Sequence, residues 1–157
     1  MRIGCRLWLL TLLVAGLSSA AQKNSPQTNL APLRYYVQLI WGTNREKPEH
    51  ARFRPVGPKL KSELTRVFQW QRYWEVNRQA IDVGGGKSAS VRMSPECEVQ
   101  IDLSSPGLRE TRIYGKGILV ARSRQKSECH AMTVHGAAIE TGGSWFVVVR
   151  EDAPKDD

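Results

Sequence analysis

The chain has 157 residues, 41% of them hydrophobic and 24% charged, with a formal net charge of +8. That length and apolar content let a single domain bury a core without metals or dense crosslinking. The charge is basic but mixed in sign, which suits anionic partners such as envelope polymers, lipid head groups or nucleic acid, or a solvated basic surface; nucleic acid is not the expected partner.

Arg2 and Arg6 flank the start of an apolar run from Leu7 to Leu17, and Ser18-Ser19-Ala20-Ala21 follows with small side chains. A basic start, a short apolar stretch and a small-residue cut site make a secretory signal peptide. The run is shorter than the ~20 residues a spanning helix needs. Residues 1–21 therefore read as a cleavable signal, cut after Ala20 or Ala21. The expected location is secreted or periplasmic, with no stable membrane span after cleavage. Losing two arginines takes the net charge from +8 to +6, on about 136 remaining residues. Cleavage also removes Cys5 and leaves Cys97 with Cys129. An even pair in an oxidising compartment reads as one disulfide. Closing a loop of about 30 residues would add about 3 kcal/mol.

Residues 22–33 are polar, carry two prolines and read as a flexible leader. Tyr35 to Trp41 is aromatic and branched, as in a central strand covered on both faces. A long charged loop runs from Thr43 to Gly57. Gly57-Pro58 then opens a helix, about 58–68, with Leu60, Leu64, Val67 and Phe68 as its apolar stripe. From Trp70 to Val83 the apolar phase slips by one residue, which predicts a bulge or a bend. Ala89 to Met93 and Cys97 to Leu103 alternate cleanly around Ser94-Pro95-Glu96, the best hairpin of the sequence. Arg109 to Arg122 is one strand or two, broken near Gly115-Lys116-Gly117. Cys129 to Thr141 and Ser144 to Arg150 are the last strands, and residues 151–157 form a disordered charged tail.

Short connections favour antiparallel pairing. The expected class is α+β: one short helix on a mainly antiparallel sheet or open sandwich of six to eight strands, forming a single domain over 34–150.

Catalytic constellations are absent from the pattern. His130 and His135 have opposite parity on a strand and make a poor metal pair. Gly84-Gly85-Gly86-Lys87-Ser88 lacks the spacing of a phosphate loop and leads into a strand. The acids Glu96, Glu98, Asp102 and Glu110 make no recognisable pair. No cofactor, metal or catalytic residue is assigned, and the chain reads as non-enzymatic. One segment is a candidate binding surface: Phe68 to Arg78, where aromatics alternate with arginines that could stack on sugars or bases. Its exposed members would be Trp70, Arg72, Tyr73 and Arg78, although the same aromatics also suit a helix-to-strand junction. Arg122, Arg124 and Lys126 form a second basic cluster, read as a solvated turn.

Two stretches, Val37-Gln38-Leu39-Ile40-Trp41-Gly42-Thr43-Asn44 and Gly57-Pro58-Lys59-Leu60 through Phe68, Trp70, Tyr73-Trp74-Glu75-Val76 and Arg78-Gln79, resemble an uncharacterised group of short exported bacterial proteins. The resemblance implies a strand, a helix and a run of strands over nearly the whole mature chain, and no activity. The function expected is thus a binding or structural role in the bacterial cell envelope, toward an envelope protein or an anionic polymer. Binding of anionic polymers or nucleic acid through the basic and aromatic surface is one alternative, and a small secreted hydrolase is the other.

Overall fold

A computed structural model describes residues 31–46, 52–139 and 142–155. The expected signal peptide and most of the expected leader lie outside the described residues. The elements run β1 (Leu33–Thr43), β2 (Arg54–Pro55), α1 (Pro58–Val67), β3 (Arg72–Val83), β4 (Ser88–Ser94), β5 (Cys97–Asp102), β6 (Leu108–Gly115), β7 (Ile118–Lys126), β8 (Thr133–Ile139) and β9 (Gly143–Arg150). They form two antiparallel sheets, a five-stranded one ordered β2-β3-β1-β9-β8 and a four-stranded one ordered β4-β5-β6-β7.

Strand parity builds three layers. On β1 the odd residues Tyr35, Val37 and Leu39 join Val147 and Val149 of β9 against Val99, Ile101 and Ile113 of the small sheet. The even residue Ile40 joins Phe146 and Val148 on the opposite face, beneath Leu60 and Leu64 of α1. A strand buried on both faces needs apolar residues at nearly every position. That is why β1 and β9, the most continuously apolar segments, occupy the interior of the large sheet. Each fully buried aliphatic side chain here stabilises the fold by about 1.5–3 kcal/mol relative to exposure.

The helix begins at Pro58, where the absent N–H costs nothing, and ends as Phe68 turns extended. Its contact stripe is narrower than the sequence implies: Leu60 and Leu64 are buried, whereas Val67 is 74% exposed. One short helix on a sheet buries only the line facing the strands, and Val67 lies off that line. The phase slip in β3 is a bulge: Leu39 pairs with Asn77 and Ile40 with Glu75, so Val76 has no partner. The break at Gly115-Lys116-Gly117 is a two-residue hairpin with positive φ at Lys116 (51°) and Gly117 (79°). Positive φ at both positions matches strand twist, and it divides the 109–122 segment into β6 and β7. This division and the short β2 give nine strands among the described residues, against six to eight expected.

The expected disulfide is not formed, and both Cys97 and Cys129 are free. Cys97 pairs with Gly115 at one end of β6. Leu108, at the other end of β6, pairs with Lys126, and Cys129 lies just beyond. The length of β6, on the order of 20 Å, separates the two thiols. A disulfide requires Cα atoms within about 7 Å. Cys129 also lies in the connection before β8 and does not open a strand.

The first residues after β9, which belong to the expected charged tail, make side-chain contacts with the domain, and residues 156–157 lie outside the described residues. Arg150 donates to the carboxylate of Asp152. Glu151 accepts from Arg109 at 3.3 Å and pairs with His130.

Candidate functional site

The aromatic and arginine segment does not present its four candidate residues as one exposed surface: Tyr73 is buried, and Trp70, Arg72 and Arg78 are half-buried. Tyr73 is 3% exposed and packs beneath α1, donating its hydroxyl to the Phe68 carbonyl. Trp70 packs half-buried against the same cluster, close enough to Gly42 that a Cβ there would meet its ring at 2.8 Å. Arg72 donates to the Asn44 carbonyl at 3.2 Å. Arg78 donates to Glu75, which also accepts from Gln38 in the interior. The segment makes the helix-to-strand junction, because parity on β3 sends Tyr73 and Glu75 to the helix face.

Arg122 and Arg124 also depart from expectation. They lie on β7, not on a turn, and together with Arg112 they converge on Glu110. Hydrogen bonds from Arg122 and Arg124, then Arg112, pull the Glu110 carboxyl down to about 2. Asp102 adds a further acid beside Arg112, at 3.3 Å. The outer face of the small sheet therefore neutralises much of its own charge, which weakens any field acting on a polyanion.

Of the surface depressions among the described residues, two differ most in the chemistry of their lining. One, of about 540 Å³, lies between α1 and the segment after β9 and is lined by Lys59, Glu63, His130, Arg150, Glu151 and Asp152. Four of its charged groups are engaged with one another, Arg150 with Asp152 and His130 with Glu151. The other, of about 260 Å³, is smaller but apolar, and it opens between the sheets where β7 faces β8.

The register of inward residues explains the second cleft. Gln125 of β7 accepts from the Thr133 hydroxyl of β8 at 3.0 Å. Two residues along each strand, Ser123 Oγ lies 3.1 Å from His135 Nε2. The next inward pair is Ala121 and Ala137, both lining the cleft. Two methyl groups cannot bridge sheets about 10 Å apart. The sheets are thus stitched at the first two levels and gape at the third. Leu39, Ile113, Val120, Trp145 and Val147 supply the apolar wall, and Cys97 and His135 border it. Burial lowers the His135 pKa from its ordinary value, favouring the neutral ring, and raises that of the Cys97 thiol.

One residue of the cleft wall, Val120, belongs to an exposed apolar run on β7. Ile118, Leu119 and Val120 are consecutive and are 70%, 47% and 61% exposed. Behind the cleft runs a tryptophan row, in which Trp74 of β3 opposes Trp41 of β1 and Trp41 opposes Trp145 of β9. The Trp41 and Trp145 rings lie 4.9 Å apart. Gly143 lets them sit there, because a Cβ at that position would fall 2.1 Å from Trp41.

Reading the sequence alone missed this site. The available signals were the apolar run Ile118-Leu119-Val120 directly after a tight turn and the small residues Gly136-Ala137 in a late strand. No protein-family model, curated protein or solved structure significantly matches this chain.

Proposed function

We infer that this is an exported, non-catalytic binding domain whose contact site is the apolar cleft between β7 and β8. The observation that carries the reading is that the cleft wall includes Val120, the last of three consecutive exposed apolar residues that begin with Ile118 and Leu119. A run of this kind is unfavourable on a water-facing strand unless another molecule covers it. Export rests on the signal-like residues 1–21, and the envelope role rests on that export. Self-neutralisation of the arginines on the small sheet supports an apolar contact over an anionic polymer.

A solvatochromic apolar dye tests the reading. The wild-type chain should raise its fluorescence and shift the emission of Trp145 in the cleft wall. Ala121→Phe, which fills the unbridged level, should abolish both responses while retaining the far-UV circular dichroism of the wild type. Dye binding unchanged by Ala121→Phe would refute the cleft as the site. Mass spectrometry of the chain released from producing cells tests the export step, with a mature N-terminus at Ala21 or Gln22 expected.

The Ser123–His135 pair favours a second reading, a nucleophile beside a neutral base at an apolar cleft. A fluorophosphonate probe that labels Ser123 would establish it. The same hydrogen bond also closes the polar end of the cleft, which accounts for the pair without catalysis.

A further inference from the structure

We propose that the occupant of the cleft is an extended apolar segment of a partner protein, which adds as a strand to the free edge of β8 and seats alternate side chains at the cleft mouth. This rests on the cleft being the contact site.

Both sheets end at this corner, β8 closing the large sheet and β7 the small one. Every edge strand offers unpaired backbone N–H and C=O groups, and proteins usually guard them with charges, prolines or bulges. The edge of β7 is guarded. A bulge at Val120 breaks its register, and Arg122, Arg124 and Lys126 follow along the strand. Among the described residues, the edge of β8 is not guarded. Thr133 to Ile139 contains no Lys, Arg, Asp, Glu or Pro, and its pairing with β9 runs without a register shift.

Size and chemistry select the class of occupant. The cleft holds about 260 Å³, below the roughly 300–1,000 Å³ of sites that enclose whole small molecules. It suits a few side chains delivered from outside. A strand laid along β8 from His135 to Ile139 passes the mouth of the cleft, because His135, Gly136 and Ala137 are the β8 residues that line it. Its inward residues, spaced by two, would meet the unbridged level at Ala121 and Ala137. Backbone pairing supplies affinity and the cleft selects uncharged, apolar side chains at alternate positions, as in other strand additions.

Fluorescein-labelled octapeptides alternating leucine with threonine, or valine with serine, are the probes, titrated against the wild-type chain and Ala121→Phe. Versions N-methylated at alternate residues keep every side chain but cannot pair with a strand edge. The expected result is saturable binding that N-methylation weakens at least tenfold and Ala121→Phe weakens similarly. Amide exchange of β8 should slow when the parent peptide binds. Equal binding of the N-methylated peptides would overturn strand addition and leave the cleft as the contact site. Response to the apolar dye alone, with no peptide bound, has the same meaning. Concentration-dependent dimerisation that protects the β8 amides would name a second copy as occupant and overturn the proposal. If neither dye nor peptide binds, the cleft reading falls with it.

Discussion

Replacing Glu151 with alanine should destabilise the protein more than replacing its partner Arg109 with methionine. The Arg109 side chain is 1% exposed and that of Glu151 is 18% exposed. Besides Glu151, the guanidinium donates to the Ala131 carbonyl at 2.9 Å, to Thr133 Oγ1 at 3.2 Å and to Gln125. It also lies 5.3 Å from the centre of the Tyr35 ring. Glu151→Ala leaves that cation buried among neutral acceptors. Removing one partner of a buried ion pair costs about 3–5 kcal/mol, and the surviving hydrogen bonds place this case near about 3 kcal/mol. Arg109→Met leaves the charge on the carboxylate, which water and His130 can still reach. The methionine keeps contact with Tyr35, and Gln125 keeps its bond from Thr133. That loss should be about 1–2 kcal/mol, the scale of one or two net hydrogen bonds. The double variant should lie close to Arg109→Met, because removing the cation also removes the penalty. Urea unfolding of the four proteins, compared at equal slope, reads the order directly. Glu151→Ala within about 1 kcal/mol of wild type, or Arg109→Met as the more damaged variant, would refute the reasoning.

Gly143→Ala should cost about 1–3 kcal/mol through overpacking, because its Cβ would fall 2.1 Å from Trp41; near-UV circular dichroism should report the displaced ring alongside a lower melting temperature. Glu110 titrates near 2 when folded against an ordinary 4.5, so its stabilising effect is complete above about 4.5 and is lost as the pH falls toward about 2. A melting series across that acid range should slope less steeply for Glu110→Gln, and an unchanged slope would sink the assignment. Thiol titration of the purified chain, denatured without reductant and lacking Cys5 after cleavage, should count both Cys97 and Cys129 as free. In the native protein Cys129, which is exposed, should react faster than Cys97, which is half-buried with its thiol pKa raised by burial.

Local pattern carried most of the architecture. Residues such as Val37 and Val148 announce buried strands because two covered faces leave no position for water. The helix start at Pro58 and the hairpin at Ser94-Pro95-Glu96 follow from backbone chemistry that acts within a few residues. The slip between Trp74 and Ile81 announced a bulge or a bend, since side-chain parity in a regular strand does not change, and pairing with β1 made it a bulge at Val76. Pairing between distant strands is a different kind of information. Cys97 and Cys129 are a plausible bond by count and impossible by register, because β6 lies lengthwise between them. Trp70, Tyr73 and Arg78 look like a surface in one dimension, but parity on β3 and the helix above it turn them inward or onto Glu75.

The candidate site depends on such pairing even more. Ala121 and Ala137 are unremarkable residues until the sandwich sets β7 across from β8 and leaves two methyl groups where a bridge would be needed. The same holds for Arg109, an ordinary strand arginine by sequence that the second sheet buries against Glu151. Composition and periodicity set which segments become strands and which faces are apolar, because those choices are made by each residue with its near neighbours. Which face meets which, and where the two sheets fail to meet, was decided only by tertiary structure, because a gap between sheets belongs to no single stretch of chain.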